Sequence, residues 1–469
     1  MVTIPRLIIA GTQSGVGKTT VAMGLIAALR RRGMRVQPFK VGPDYIDPSH
    51  LERAAECPSR NLDTWLLTPH KAQQVFQHAS ATADLALVEG VMGMFDGYGA
   101  TSERGSTAEV AKLLSAPVIL VIDGSHMARS VAAVVKGYRE FDPHIRISGV
   151  IVNRVSERHF QLLRQALRNM PGLNVLGYVP RDAAISMPER HLGLVPAQEQ
   201  GRLTAALTRL AHLVQDTVDL ARVVRLAQSA PPLPVISAPW EHVPTPSARV
   251  RLGVARDEAF HFYYHDNLDL LRALGTEVVP FSPLEDRRLP DGLDALYLGG
   301  GFPEVFARPL AENQSFRRSL KRTIAAGTPT YAECGGLMYL AQRLVDLEGR
   351  RHAMVGVLPG TIRMTPRLQP FGYATLLARR PSILARVNDR IKGHEFHYST
   401  WDHPVRGDEA AYTVLRRHER RREGFVRGNL LASYLHVHFL TNVRWARRFV
   451  ETAHRWKQQQ RRKSSGATP

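Results

Sequence analysis

The stretch Gly11-Thr-Gln-Ser-Gly-Val-Gly-Lys-Thr19 constrains this chain more than any other. An apolar run, Leu7-Ile-Ile-Ala10, leads into it, and a helical pattern, Thr20–Arg32, leaves it. A strand that turns through glycines into a helix opens a parallel βαβ unit and leaves a row of backbone N–H groups facing outward. Such a row, reinforced by the helix dipole, wraps phosphate. Thr12, Gln13, Ser14, Gly15, Val16, Gly17, Lys18, Thr19 and Thr20 are therefore the expected nucleotide contacts. Lys18 is expected to bridge the β- and γ-phosphates, and Thr19 to hold Mg2+. The usual phosphate-loop spacing would put the first glycine at position 12; Thr12 sits there and Gly11 lies one residue further back. A glycine turn with no phosphate is the plain alternative, and Gly-Lys-Thr-Thr in this setting argues against it.

Further apolar runs continue the alternation: Val36–Val41, Leu85–Val88, Val118–Ile122 and Gly149–Val152, with a helical pattern at Ala108–Leu114 among them. Short buried runs separated by helices predict a doubly wound parallel α/β sheet. Proline-rich sequence from 229 to 248 reads as an extended linker. A second α/β series follows with Val250–Ala255, Glu277–Phe281, Ala295–Leu298 and the run before Cys334. Two domains suit a chain of 469 residues. The expected division is 1–228, linker 229–248, 249–455, and a polar, disordered tail 456–469.

Acidic and basic groups stand near strand ends of the first half. Glu89 closes Asp84-Leu-Ala-Leu-Val-Glu, beside the phosphate loop, where a carboxylate is placed to hold Mg2+. The block Phe39-Lys-Val-Gly-Pro-Asp-Tyr-Ile-Asp-Pro48 offers Lys40, Asp44 and Asp47. Each aspartate alone is an ordinary turn residue. Together they suggest a second metal contact through Asp47 and substrate contacts through Lys40 and Asp44. The glycine-rich run Glu89–Gly97 is expected to cover the substrate, with Asp96 contributing, and Asn153 to touch adenine.

In the second half, Thr328-Pro-Thr-Tyr-Ala-Glu-Cys-Gly-Gly-Leu337 is an apolar strand that breaks into glycines and then a helical pattern. A tight strand-to-helix turn of this kind exposes one nucleophile above a sheet. The adjoining amide and helix N-terminus are expected to lower the Cys334 thiol pKa and to hold an oxyanion. The expected oxyanion donors are Gly335 together with Gly300 and Gly301 of Gly299-Gly-Gly-Phe-Pro-Glu304. Ser433-Tyr-Leu-His-Val-His-Phe439 offers two histidines. A histidine in an apolar run is more often packed core; the thiol context favours His436 as the base. Gly393-His-Glu-Phe-His-Tyr398 fits no trusted zinc spacing and stands as a substrate or interface element.

Net charge is +20, from 62 Lys and Arg against 42 Asp and Glu. The basic residues are spread over helices, with clusters at Arg416–Arg422 and Arg461–Lys463, and no nucleic-acid signature accompanies them. Solvated faces, or steering of a polyanionic small substrate, account for the charge better than nucleic acid. No run approaches a membrane span and the N-terminus lacks a leader layout. Two cysteines, Cys57 and Cys334, make a disulfide framework unexpected and a reducing cytoplasm the expected location.

On these residues the chain resembles the corrin-amidating glutamine amidotransferases, and the resemblance runs from Ile8 to about Phe439. The shifted glycine of Gly11–Thr19 is similar to that of the dethiobiotin-synthetase-like ATP-binding domain. Lys40–Pro48 and Glu89–Gly97 resemble the corrin amidases, with Gly42-Pro-Asp-Tyr-Ile-Asp47 similar to the a,c-diamide type, and Gly299–Glu304, Ala332–Gly336, Gly393–Tyr398 and Tyr434–Phe439 resemble a triad-variant class I glutaminase. The resemblance implies ATP- and glutamine-dependent amidation of two acetate side chains of a corrin such as cobyrinic acid, in cobalamin biosynthesis. Hydrogenobyrinic acid or another tetrapyrrole would suit the same chemistry. It implies Mg2+ and ATP, a corrin polycarboxylate and L-glutamine as small-molecule partners, a shielded ammonia path between domains, and no nucleic acid or membrane; a homodimer is compatible with it. Ordinary class I glutaminases place Glu two residues after the catalytic His, where this chain has His438. From another class, a partitioning-type switch ATPase would carry a lysine five residues before the loop lysine; Gln13 stands there, and a thiol site would have no role in it.

Overall fold

A computed structural model describes residues 1–182, 185, 197–241, 249–369, 371–403, 405, 407–416 and 419–464, with side chains of 197–203 and 464 left aside. The chain divides into two compact units, Met1–Glu241 and His242–Pro469.

The first unit is a seven-stranded sheet built from β1 (Arg6–Gly11), β2 (Val36–Val41), β3 (Arg60–Leu62), β4 (Leu85–Glu89), β5 (Val118–Asp123), β6 (Ile147–Asn153) and β7 (Asn174–Val179). Their order is β3-β2-β4-β1-β5-β6-β7, and every pairing is parallel. The five predicted strands are present. Two short or half-polar edge strands, β3 and β7, lack the apolar run that would announce them. Central β1 is buried at every residue, because helices cover both faces. Helix α1 (Lys18–Arg31) is buried from Val21 to Leu29. It lies between the sheet and the helix Ala197–Thr217, whose Leu210 and Val214 pack so closely that a Cβ on Gly24 would sit 2.6 Å from Val214 Cγ2.

The proline-rich stretch differs from the expected free linker as far as Glu241; residues 242–248 lie outside the described residues. Leu233 exchanges two backbone hydrogen bonds with Val2, and Gln77 binds Pro234 O and Ile236 N. The buried Arg6 guanidinium donates to Pro231 O (2.7 Å), Leu114 O (2.6 Å) and Ile4 O (3.0 Å). Prolines free the carbonyls that these donors need, so the segment is tied along the first unit rather than spanning open space.

The second unit holds a ten-stranded mixed sheet. Its strands run in the order Thr276–Phe281, Val250–Ala255, Ala295–Leu298, Thr330–Glu333, Leu430–Ser433, Glu419–Arg427, Ala410–Arg416, Gly372–Ala378, Arg390–Glu395, Leu435–Val437. The first five are parallel and the remainder antiparallel. The chain closes on a helix, Val443–Ser464, which corrects the expectation of a disordered tail from 456. Trp445, Ala446, Phe449, Val450 and Ala453 give it one buried face. Past that face, Trp456 packs on Gly327 and Lys457 Nζ reaches Asp294 (2.9 Å) and Arg249 O (2.7 Å). Its basic last turn, Arg461–Lys463, suits the negative end of the helix dipole. Residues 465–469 lie outside the described residues.

Candidate functional site

The chemistry-bearing side chains gather at two strand-to-helix turns, one in each unit. In the first, β1 passes through the glycine loop into α1. Gly17 holds φ +90°, a left-handed conformation that suits glycine, and caps α1 with no side-chain partner. The first-turn N–H groups therefore remain directed into the loop, and no acid occupies that turn. Gly11, the displaced glycine, is required by packing: a Cβ there would lie 2.7 Å from Val16 and 2.9 Å from Lys18. Lys18 is buried, and its ammonium donates to Met92 O (2.6 Å) and Gln13 O (3.1 Å). Burial, then repulsion by Lys40, pulls its pKa down to about 8.

Beside it lies an ion cluster. Lys40 Nζ touches Asp47 (2.6 Å), Glu89 Oε1 (3.1 Å) and Gly90 O (3.0 Å). Thr19 Oγ1 donates to the same Glu89 oxygen at 2.6 Å. Glu89 Oε2, fully buried, has no hydrogen-bond partner among the described residues. Burial lifts the Glu89 pKa to about 7 against the pull of Lys40. Asp44 is also lifted to about 7, by burial and then Asp47, whereas at Asp47 burial is overcome by Lys40 and the pKa falls to about 2. Thr19, Lys40, Asp44, Asp47 and Glu89 are thus brought together.

The run after β4 folds back over the loop. Met94 N donates to Gly11 O (2.9 Å), and a Cβ on Gly93 would meet Thr12 O at 3.0 Å. Asp96 caps Gly93 N at 2.9 Å. Asn153 differs from a base contact in its present bonding: its Nδ2 donates to Val16 O (2.8 Å) and braces the loop from beneath.

In the second unit, Cys334 sits between strand Thr330–Glu333 and helix Gly335–Leu340 with φ +46° and ψ −101°. A non-glycine residue in this region is strained, and the surroundings hold it there. Cys334 N donates to Ser433 O, and Gly336 N to Gly299 O. A Cβ on Gly336 would lie 2.3 Å from Leu298 O, so only glycine fits. The same closeness brings Gly335 beside Gly301, and places Gly300 against the His436 ring, where a Cβ would be 2.5 Å from Cε1. Cys334, His436, Gly300, Gly301 and Gly335 are therefore brought together.

The electrostatics differ from the expectation at the thiol. Burial and the Glu304 carboxylate push the Cys334 thiol well above its usual range; the Gly335 N–H opposes them and does not prevail. His436 is driven down to about 3 by burial, then by His394 and His397. His438, in the position of the missing acid, is fully buried, stacks on Tyr264 and lies 3.7 Å from Asp266.

The 393–398 block belongs to this pocket. His394 pairs with His436 across the sheet, and Phe396 O lies 3.9 Å from Cys334 Sγ. Glu395 is buried and accepts from His397 (3.0 Å), Arg416 (2.6 Å) and Arg421 (2.6 Å). Part of the basic run at Arg416–Arg422 is thereby used within the fold; Arg417 lies outside the described residues. Sequence reasoning missed Glu304, Glu333 and Glu395 as neighbours of the thiol. Adjacency to Cys334 and to Gly299–Gly301 was the available signal for the first two.

Comparison with known proteins agrees with both units. Residues 7–195 match the family described as CobQ/CobB/MinD/ParA nucleotide binding domain, and residues 251–443 the CobB/CobQ-like glutamine amidotransferase domain. A cobyrinate a,c-diamide synthase of Dehalococcoides mccartyi strain 195 is 44% identical over 96% of this chain and 98% of its own length. One from Syntrophotalea carbinolica is 46% identical over 95% and 98%.

The chain belongs to the cobyrinate a,c-diamide synthase family.

A third member, from Dehalococcoides mccartyi strain CBDB1, is 45% identical over 95% of this chain and 97% of its own. The synthase family match thus spans both turns. Among the described residues no helix is long and apolar enough to cross a membrane, and no group of three or more His, Cys, Asp or Glu is arranged as a metal cage.

Proposed function

We propose that the chain converts the a and c acetate side chains of cobyrinic acid to amides, using ATP and the side-chain nitrogen of glutamine. One observation carries the reading: a single chain of this family holds both a phosphate loop beside a lysine–carboxylate cluster and a cysteine on a strained turn beside a buried histidine.

A carboxylate is a poor acyl donor because its oxygen leaves badly. Attack of the substrate carboxylate on the γ-phosphorus forms an acyl phosphate and releases ADP. Lys18, drawn from its two carbonyls, and the N–H groups of residues 12–20 offset the charge in flight. Asp96 and the run over the loop keep water away from that step, and Lys40 and Asp44 face the substrate. The residues fit Mg2+: Thr19 Oγ1 and Glu89 share a contact, Glu89 keeps an unpartnered buried oxygen, and Asp47 joins them through Lys40. Mg2+ bound there would supply Lewis-acid neutralisation of the phosphates. Asn153 holds the loop for the base.

In the second unit, His436 takes the Cys334 proton as the thiolate attacks the glutamine amide carbonyl. The tetrahedral oxyanion lies toward the amides of Gly300, Gly301 and Gly335. Collapse, with His436 passing its proton to the departing nitrogen, gives a thioester and ammonia; water then cleaves the thioester to glutamate and the free Cys334 thiol. The ammonia displaces phosphate from the acyl phosphate. Burial and Glu304 disfavour a free thiolate, so transfer of the proton to His436 accompanies the attack.

The test is mass spectrometry of candidate corrins incubated with the protein, Mg-ATP and glutamine. Two hydroxyl-to-amino exchanges on cobyrinic acid, with ADP and glutamate in matching amounts, are expected. No exchange on cobyrinic acid while hydrogenobyrinic acid reacts would reassign the substrate; ATP consumption without amide would overturn the reading.

A further inference from the structure

The class I arrangement needs an acid behind its histidine, and this chain has none two residues on. The structure offers another candidate on a different strand. Glu333, the residue before the nucleophile, is buried and points its carboxylate under the histidine strand. Its Oε1 accepts from Tyr331 Oη (2.5 Å) and from the Val437 N–H (2.9 Å), which fills both lone pairs. Among the described residues its Oε2 accepts a hydrogen bond from Tyr297 Oη alone (2.7 Å) and keeps one lone pair. That oxygen lies 3.9 Å from His436 Nδ1.

Backbone ties fix the approach. Val437 follows His436, so the Glu333–Val437 bond sets the height of the imidazole over the carboxylate. Asn267 clamps the same segment from the far side through Val437 O (2.7 Å) and Phe439 N (2.7 Å). The Cε1–Nε2 edge of the ring faces Gly300. The ring is thus oriented with Nδ1 toward Glu333 and Cε1 toward the glycine loop. Hydrogen bonds of catalytic groups are commonly long before substrate binds and tighten afterwards.

We propose that Glu333 is the positioning residue for His436, replacing the absent acid by one supplied from the nucleophile's own strand. This rests on the glutaminase reading above. Its carboxylate fixes the Nδ1–H tautomer, leaving Nε2 to take the Cys334 proton, and stabilises the imidazolium that results. Tyr297, Tyr331 and Val437 hold the carboxylate so that Oε2 has one direction left to offer.

The experiment uses the full chain and Glu333→Gln. Glutamine hydrolysis is followed from acid to neutral pH, and corrin amidation is measured with glutamine and with ammonium as nitrogen donors. The expected kcat for glutamine falls about 10²-fold or more, with KM little changed and ammonium-driven amidation intact. The acid limb of the profile moves to lower pH, because the imidazolium has lost its carboxylate. Glu333→Asp, which keeps the charge, returns part of kcat and the original limb. Unchanged kcat and limb in the Gln variant, or parallel loss with both nitrogen sources, overturns the proposal. Should that variant not fold, 15N NMR of wild-type protein, with His436 assigned by His436→Gln, decides: an Nδ1–H tautomer supports it and an Nε2–H tautomer overturns it. Wild-type protein unable to hydrolyse glutamine would instead overturn the function itself.

Discussion

The two turns use one backbone device for opposite ends. Each carries a strand through left-handed or strained residues into a helix, Gly17 in one and Cys334 in the other. At the first, glycines strip side chains away so that backbone N–H groups face the ligand. At the second, glycines crowd round one side chain and lift it out. Their charges differ accordingly. The phosphate turn is lined by ammonium groups, Lys18 and Lys40, held by carbonyls and carboxylates that a nucleotide displaces or shares. The thiol turn is ringed by Glu304, Glu333 and Glu395, which oppose ionisation of Cys334. A pocket meant for an anion keeps its cations ready; a pocket meant to make an anion only on demand keeps its thiol protonated.

The sharpest way to break this comparison is to disable each turn alone. Cys334→Ser is expected to lower glutamine-dependent amidation on the order of 10⁴–10⁶-fold, while ammonium-dependent amidation continues. Lys18→Ala is expected to lower amidation about 10²–10³-fold with either nitrogen source, while glutamine hydrolysis survives. Steady-state assays with the two donors separate them. If Cys334→Ser abolishes both activities in a folded protein, the two turns do not divide the labour.

Much of this was legible before any coordinates. The apolar runs at Leu7–Ala10, Leu85–Val88 and Val118–Ile122 are central strands, where burial on both faces leaves no polar residue to obscure the pattern. The loops at their ends carry motifs whose spacing is dictated by phosphate and thiol chemistry. What stayed hidden depends on contacts distant in sequence. Strands Ala410–Arg416 and Glu419–Arg427 supply Arg416 and Arg421, which the fold uses to hold Glu395; as sequence this region reads as a solvated basic run. Glu333 was given no role because its partners, Val437 and His436, lie about a hundred residues away. The thiol pKa came out on the wrong side because a helix N-terminus was weighed without the burial and carboxylates that outweigh it.

A smaller effect tests the ion cluster at the phosphate turn. Lys40 is almost wholly buried between Glu89 and Asp47. Lys40→Met removes the countercharge and leaves the acids, which costs about 3–5 kcal/mol. Thermal unfolding of the first unit should fall by roughly 10 °C, at 2–4 °C per kcal/mol for a domain of this size. Restoring most of that loss with Lys40→Met/Glu89→Gln would show that the stranded carboxylate, not lost packing, is responsible. A Lys40→Met protein as stable as wild type would mean that the cluster is already solvated.

The smallest effect is a slope in pH. Asp44 titrates near 7 in the fold against its usual 3.8, because burial and Asp47 disfavour its charge. Between those values the folded state keeps a proton that the unfolded state has released. Stability therefore falls as pH rises through this window and levels off above it. Glu89, lifted to about 7 from 4.5, adds to the same slope. Asp47, depressed to about 2, acts only in acid, where its contribution is lost as pH falls. Asp44→Asn should flatten the first unit's decline by a few degrees of melting temperature across the window, measured without nucleotide. Glu304 and Glu333 are also lifted to about 7, by burial at the thiol turn. Their share of the slope belongs to the second unit and should persist in the variant. If Asp44→Asn leaves the first unit's slope unchanged, the proton assigned to the phosphate turn resides on Glu89 alone.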